Sequence, residues 1–434
     1  MSTGRPLTPD RWHERQHLMR VLIIGAGLGG LTLLHGLRRA GIDARVFERS
    51  AHRAQQPASY GIHLNADGLR ALHACLPDEN WKMIDTAGSP VPLIIRFHDP
   101  RRGVLATIDK RFPEDTTDPI TKRRAISRGK LYEALLHNTG TDDDAEPLVH
   151  WDKTFTHYEL YDDGVRAYFA DGSHADGDIL VGADGSNSRV RHQRLPSLQR
   201  QELGIINIAG RVPLAGVVAA ALPADFTDGG INNVVPARNG WMFLSTWPSG
   251  DPDNTDVSNG AAEYVVWAWA GSRDSYPHGV ENLDRNQLKQ LVTERVRDWA
   301  APLRTLVDAT DATTITTVPL RTMPQLPEWA PSRITLLGDA IHNMTPMAGI
   351  GANTALGDAE HLRQALTAGA DTVSAIGGYE TAMRHDANQA LALSSRNATN
   401  AALATPSNRT VFRALLRASA AIPAIRRKIF GPSI

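Results

Sequence analysis

Val21-Leu22-Ile23-Ile24-Gly25-Ala26-Gly27-Leu28-Gly29-Gly30 is the stretch on which the fold turns. Its first four residues are a short apolar, β-branched run that ends directly in glycines, the pattern of a strand buried on both faces. After Gly30 the apolar residues Leu31, Leu34 and Leu37 recur at helical spacing, and Gly41 closes the segment as a C-cap. Ala44-Arg45-Val46-Phe47-Glu48 then reads as a second strand, so strand, helix and strand make a βαβ unit. The glycines at 25, 27 and 30 fit G-x-G-x-x-G. Gly25 permits the tight turn, Gly27 lets the backbone approach a pyrophosphate, and Gly30 lets the helix pack closely on the strand. Glu48 ends the second strand, where an acid accepts hydrogen bonds from a ribose diol. Its carboxylate would repel a 2′-phosphate, so the site is expected to hold FAD or NAD rather than NADP.

The rest of the chain fits a large globular protein. It has 434 residues, 46 Lys and Arg against 47 Asp and Glu, 42% hydrophobic and 21% charged residues. That length allows two or three domains, and that composition excludes a disordered chain. The balanced charge excludes a phosphate-binding surface of the nucleic-acid kind. One cysteine, Cys75, forms neither an internal disulfide nor a thiolate metal site, so a reducing, cytoplasmic compartment is expected. The longest apolar stretch, Leu214 to Ala221, is too short to span a bilayer, and residues 1–20 lack the apolar core of a signal peptide. No membrane and no nucleic acid are expected as partners.

Further along, Arg128 to His137 reads as a helix. From His150 to Gly182 the pattern has period two, with Asp163-Gly164 and Asp171-Gly172 as hairpin turns and Asp178 to Gly182 as a closing buried strand. Residues 200–325 alternate, as in Trp241-Met242-Phe243-Leu244, and predict an antiparallel sheet. A buried strand returns at 334–338, and the chain reads as helical beyond Gly351.

Two more clusters carry chemistry. The first is Gly182-Ala183-Asp184-Gly185-Ser186-Asn187-Ser188-Arg189-Val190-Arg191, which alone reads equally well as a strand, an Asp-Gly turn and a capped helix. The second runs from Gly338-Asp339-Ala340-Ile341-His342 through Pro346 to Gly349-Ile350-Gly351-Ala352-Asn353, with Asp358 beyond. There a strand ends at an acid, and a glycine-rich loop leads into a helix whose free N–H groups suit an anion.

Taken in order, these three motifs resemble those of the flavoprotein aromatic hydroxylases, the class A FAD monooxygenases of the p-hydroxybenzoate hydroxylase type. The resemblance covers about residues 20–400, and Arg128 in Arg128-Gly129-Lys130-Leu131 matches that family's arginine-led helix. It implies an α/β fold: a Rossmann-like FAD-binding domain from 20–90, 126–200 and 330–400, a substrate sheet from 91–125 and 201–329, and a C-terminal helical segment from 401. It implies that Gly25, Gly27, Leu28, Gly30, Glu48 and Arg49 hold the adenosine half of FAD, with Arg128 at the diphosphate. Asp339 would hold the ribityl and diphosphate region, and Pro346 is counted among the cofactor-binding residues. Gly349, Gly351, Ala352 and Asn353 would face the flavin pyrimidine edge, and Asp184 would serve both FAD and the nicotinamide. No residue is assigned as an acid or base catalyst, because the chemistry is borne by the flavin.

The activity implied is hydroxylation or epoxidation of an aromatic or polycyclic small molecule, of the natural-product kind, by a monomer or homodimer. NADH or NADPH would reduce FAD as a transient co-substrate, O₂ would react, and a flavin C4a-hydroperoxide would transfer oxygen. The competing reading is a flavoprotein with structural FAD that catalyses a non-redox cyclisation. His342 reads as structural rather than catalytic, and His63 as a solvated loop residue that borders the flavin at most. Trp241, Phe243, Trp247, Trp267 and Trp269 are candidates for an aromatic substrate cavity, although alternation puts Trp267 and Trp269 on one sheet face and such stripes more often read as core. The segment Arg409 to Lys428 reads as a packed terminal helix.

Overall fold

The computed structural model describes residues 19–51, 61–91, 93–109, 120, 122–140, 146–247, 263–422 and 424. The opening apolar run forms the strand Arg20–Ile24, buried from Val21 onward, at the centre of a parallel sheet. Asp43–Phe47 lies on one side of it and Ile179–Gly182 on the other, and Ile334–Leu336 and Val149–His150 complete five strands. All four pairings are parallel. Strands covered on both faces must be apolar on both, which is why these segments read as continuous runs rather than alternation. The helix Leu28–Arg39 connects the first two strands and is buried from Leu28 through Leu37. The period-two segment forms the expected meander of Phe155–Leu160, Val165–Phe169 and His174–Gly177, which packs on the parallel sheet with Phe169 stacked on Phe47.

The second large sheet has seven strands and is mostly antiparallel, built around Gln201–Pro213, Trp241–Trp247 and Tyr264–Ser272. One pair is parallel: Ile231–Val234 runs alongside Ile94–His98, which arrives from an earlier part of the chain. Strict alternation separates the aromatic residues by face. Trp267 and Trp269 are 0% and 2% exposed, packed with Leu288, Val292 and Leu306 of the helices behind the sheet. Trp241, Phe243 and Trp247 lie on the opposite face, where Trp241 packs with Ala401, Leu416 and Phe412 of the C-terminal helices. A small sheet of Ile62–Leu64, Arg124–Ile126 and Ser89–Pro90 bridges the two halves.

The C-terminal part is helical, as Gly351–Thr367, Thr372–Ala402 and Pro406–Ala421. Arg409 explains why the last of these packs rather than floats. It is 2% exposed, and its guanidinium donates to the carbonyls of Ala404, Gly240 and Ala401. Cys75 is buried and donates from Sγ to Glu360 Oε2 at 3.2 Å; burial first, then the neighbouring carboxylate, raises its thiol pKa. Among the described residues no helix is long and apolar enough to cross a membrane.

Candidate active site

The three sequence motifs leave the parallel sheet at the carboxyl ends of adjacent strands. Gly25 follows Arg20–Ile24, Glu48 follows Asp43–Phe47, Ala183 and Asp184 follow Ile179–Gly182, and Gly338 follows Ile334–Leu336. Backbone bonds lock these ends together: Gly25 N to Phe47 O at 2.8 Å, Ala183 N to Ile24 O at 2.8 Å, and Leu337 N to Gly182 O at 3.0 Å. The first strand has its sequence successor on one side and a much later strand on the other, so this edge is the switch point where open α/β sheets bind ligands.

The glycines divide by role. Gly25 has φ +111°, and a Cβ there would lie 2.4 Å from the Ala183 carbonyl. At Gly30 a Cβ would lie 2.2 Å from the Gly25 carbonyl, so this glycine is required by helix–strand packing. Gly27 differs. It is half-exposed, and the nearest atom to an added Cβ is 3.9 Å away. Nothing in the protein demands glycine there, whereas close approach of a ligand to the backbone does. Leu28 is buried as the first residue of the helix, which has no side-chain N-cap, so its first N–H groups face the opening. A diphosphate fits this cradle.

Glu48 is 8% exposed, and its carboxylate is already oriented. Oε2 accepts from Ala26 N at 2.8 Å, and Oε1 accepts from Ser50 N and Oγ at 2.9 Å. The acid therefore braces the glycine loop while retaining acceptor capacity for a hydroxyl. Arg49, next in the chain, is exposed, as is Arg128 at the start of the helix Arg128–Leu136, whose N-cap is Ser127. Asp184 uses Oδ2 to accept from Arg189 N at 2.7 Å, and its buried Oδ1 has no partner. Burial raises its carboxyl pKa against the pull of those N–H donors.

Asp339 is exposed at the first position of the short helix Asp339–His342. Beneath it lies a buried pair. His342 Nε2 meets Asp358 Oδ2 at 2.6 Å, and the same oxygen accepts from Gly338 N at 2.8 Å. Burial opposes the imidazolium, but the Asp358 carboxylate outweighs it and holds the His342 pKa above its ordinary value. With His342 wholly buried and committed to Asp358, it is out of reach of a substrate. Pro346 and Gly349 are exposed, with Gly349 at φ +66°, while Gly351 and Ala352 are half-buried. Gly351 starts a 17-residue helix that again lacks a side-chain cap. Asn353 is used internally: its Oδ1 accepts from Asn65 N and its Nδ2 donates to the His63 carbonyl, both at 2.9 Å.

His63 is a correction to the expectation of a solvated loop residue. It lies in the strand Ile62–Leu64 with its ring stacked on Trp247, 4.3 Å between centroids. Burial, with Arg123 adding to it, pushes the His63 pKa down to about 3, so the ring is neutral. Gly61 beside it has its α-carbon flat against Trp247, where a Cβ would come within 2.2 Å of the indole. Periodicity could not show this, because the stack joins strands of two different sheets. Arg191 was equally illegible: it is 1% exposed and donates to the Ala340 and Ser186 carbonyls, tying the second motif to the third.

Facing these motifs is one side of the seven-stranded sheet. Val266, Ala268 and Ala270 share that side with Arg211, Ala209 and Asn207, and with Ser245, Phe243 and Trp241. At one end Ala125 of the small sheet packs on Trp247, Tyr264 and Val266, and Gly61 N donates to the Tyr264 hydroxyl at 3.1 Å. At the other end Met347, three residues before Ile350, packs with Ala270, Ala398 and Ala402. Between these contacts Ala268, Phe243 and Asn207 are only half-buried, although they sit mid-sheet. Accessible space therefore lies against the middle of this sheet face, between the Ala125 contact and the Met347 contact. Among the described residues no His, Cys, Asp and Glu group is arranged to hold a metal.

Glu48→Ala is expected to weaken binding of a dinucleotide by about 1.5–3 kcal/mol, the usual cost of losing hydrogen bonds to a charged group. Titration of FAD into the apoprotein measures it. Unchanged affinity would mean that Glu48 serves only the loop contacts to Ala26 and Ser50.

Comparison with known proteins agrees with this geometry. A family model described as FAD binding domain matches residues 19–72 and 146–392. A solved structure of a candidate FAD-containing monooxygenase from Photorhabdus luminescens subsp. laumondii is similar, with TM-score 0.79 and 40% identity over 89% of this chain and 99% of that one. The FAD-dependent urate hydroxylase of Klebsiella pneumoniae subsp. pneumoniae is 28% identical over 390 residues, 87% of this chain and 89% of that protein. The dual O-methyltransferase/FAD-dependent monooxygenase of Cercospora beticola is 28% identical over 393 residues, covering 84% of this chain and 44% of that protein. The chain thus spans less than half the length of the last relative. The matched segments take in the glycine loop, Glu48, the Asp184 segment and the Asp339–Asn353 segment, and the chain belongs to the FAD binding domain family.

Proposed function

We propose that the protein is an FAD-dependent monooxygenase that hydroxylates or epoxidises an aromatic or polycyclic small molecule, of the kind met as natural-product intermediates. The observation that carries this reading is the glycine cradle at the uncapped start of Leu28–Arg39, with the Glu48 carboxylate oriented beside it and a second uncapped helix start at Gly351. The relatives named above, FAD-dependent monooxygenases and a urate hydroxylase, support the monooxygenase part of this reading. When bound, FAD supplies the redox and oxygen-transfer chemistry, with NADH or NADPH as transient electron donor and O₂ as oxygen source.

The chain's own residues bind, orient and shield. Gly25, Gly27, Leu28 and Gly30 present backbone to the diphosphate, with Arg128 as its counter-charge. Glu48 accepts from the ribose hydroxyls, Arg49 flanks the adenosine, and Asp339 and Pro346 line the ribityl chain. Gly349, Gly351, Ala352 and Asn353 aim the N–H groups of a helix start at the pyrimidine edge, where they favour the negative charge of the reduced flavin. Asp184 serves both FAD and the nicotinamide. The apolar wall of Ala268, Phe243 and Val266 keeps water from the reacting centre.

The purified protein is expected to be yellow and to release about one FAD per chain on denaturation, as the single dinucleotide fingerprint implies. A colourless protein that takes up NAD but not added FAD would overturn the assignment.

A further inference from the structure

The helix Pro406–Ala421 buries one side and leaves the other to solvent. Arg409, Leu416 and Ser419 are buried, and Phe412 packs edge-on against Phe97 and beside Trp241. At about 100° per residue, Val411, Leu415, Ala418 and Ile422, just past the helix end, fall on one line along a different side. Val411 is 57% exposed, Leu415 42% and Ile422 47%. Single exposed aliphatics are ordinary on a protein surface, but a line of them on one helix marks a contact surface. Charge is equally one-sided here. Residues 387–434 hold six arginines and one lysine and no acid, whereas the rest of the chain has eight more acids than bases. Part of that charge is committed: Arg409 is spent on carbonyls, and Arg413 and Arg417 share Asp99 of the sheet at 3.9 and 3.7 Å. The Arg417 side chain is nevertheless 55% exposed, Arg396 on the preceding helix is exposed, and Arg426, Arg427 and Lys428 follow in the sequence. Between the apolar line and Arg417 the exposed arc of the helix carries small uncharged side chains such as Thr410, Ala414 and Ala421.

We propose that the outer side of Pro406–Ala421 docks on an anionic lipid surface. Val411, Leu415 and Ile422 enter the boundary between headgroups and acyl chains, while Arg417 and the Arg426-Arg427-Lys428 cluster meet the headgroup phosphates. A second copy of the chain fits less well, because two such helices side by side bring arginines together with no acid in either segment to pair them. A nucleic acid would use the cations but leave the apolar line in water. A helix lying in the membrane interface uses both. The expectation of no membrane partner came from the want of a spanning segment, and an interfacial helix does not need one.

The test is co-sedimentation of the full-chain holoenzyme with vesicles of phosphatidylcholine alone and of phosphatidylcholine mixed with phosphatidylglycerol. At low salt the mixed vesicles are expected to bind about tenfold or more tightly than the neutral ones, and added salt should erode the difference. The double variant Val411→Gln and Leu415→Gln is expected to weaken binding to the mixed vesicles by about tenfold, since it removes the apolar contact and keeps every cation. Its flavin content and thermal midpoint should match the wild type, because both side chains are exposed; if either falls, Leu415→Gln alone supplies the smaller step. Replacing Arg426, Arg427 and Lys428 together by Gln should flatten the salt dependence without touching the packed side of the helix. No binding to the mixed vesicles, equal binding to both vesicle types, or binding indifferent to the double variant would each overturn the proposal. A dimer in light scattering that the double variant converts to a monomer would assign this side to a second copy, and capture of duplex DNA in place of the vesicles would assign it to nucleic acid. None of these outcomes depends on whether a nicotinamide reduces the flavin, so the monooxygenase reading stands or falls separately.

Discussion

Asp358→Ala is expected to destabilise the protein by about 3–5 kcal/mol, the cost of stripping one partner from a buried ion pair. The side chains of His342 and Asp358 are 0% and 5% exposed, so water cannot replace the lost carboxylate. Gly338 N loses its acceptor in the same step. The effect has a defined pH dependence. The folded-state pKa of His342 is raised above its ordinary 6.5, so the charge–charge part of the stabilisation is fully present below about pH 6.5. It is lost as pH rises through the raised value, and the gap between variant and wild type should narrow there. Asp358→Asn keeps an acceptor oxygen but no charge, so it should cost less and show a flatter pH profile. Denaturant midpoints across pH measure all three. A loss below about 1 kcal/mol, or a gap that is constant with pH, would show that the pair does not hold the third motif in place.

Gly351→Val is expected to yield a folded protein that has lost FAD or holds a flavin of more negative reduction potential. The protein itself tolerates the side chain. Gly351 is not among the glycines of positive φ, and an added Cβ would meet only Met344 Cγ at 3.5 Å and Sδ at 3.9 Å, ordinary contact. A β-branched residue in the first turn of a helix costs less than about 1 kcal/mol in propensity. What the branched side chain does meet is whatever lies against the N–H groups at the helix start. Those groups and the helix dipole favour the anionic reduced flavin over the neutral oxidised one, so displacing them shifts the potential downward. Gly30→Ala is the contrasting control. There the Cβ overlaps the Gly25 carbonyl at 2.2 Å, and the expected failure is of folding rather than of flavin chemistry. A folded Gly351→Val protein with wild-type FAD affinity and potential would remove this loop from the site.

Much of this was legible from residue order because the parallel sheet reads out locally. A strand buried on both faces must be a run such as Val21 to Ile24, and glycines that end it have few roles other than a tight turn. That Trp267 and Trp269 share one sheet face followed from alternation alone. Contacts between distant segments were not legible. Nothing in the sequence marks Arg191 as the buried link to Ala340, or Arg409 as the clamp of the last helix, since a buried arginine satisfied by carbonyls has no local pattern. His63 reads as a loop residue because its partner, Trp247, lies on another sheet. The parallel pairing of Ile94–His98 with Ile231–Val234 was hidden for the same reason. Sequence periodicity reports which face is buried; it does not report what buries it.

Whether bound FAD does redox work on a small molecule beside the Gly351 helix start is tested by anaerobic mixing of the holoenzyme with NADH and with NADPH, with and without aromatic substrates, following the visible flavin absorbance and then admitting O₂. The expected result is that one of the nicotinamides bleaches the flavin, that a fitting substrate accelerates the bleaching, and that O₂ restores the colour with oxygen appearing in the product. Product formation with neither nicotinamide nor O₂ consumed would contradict the account and assign the flavin a structural role.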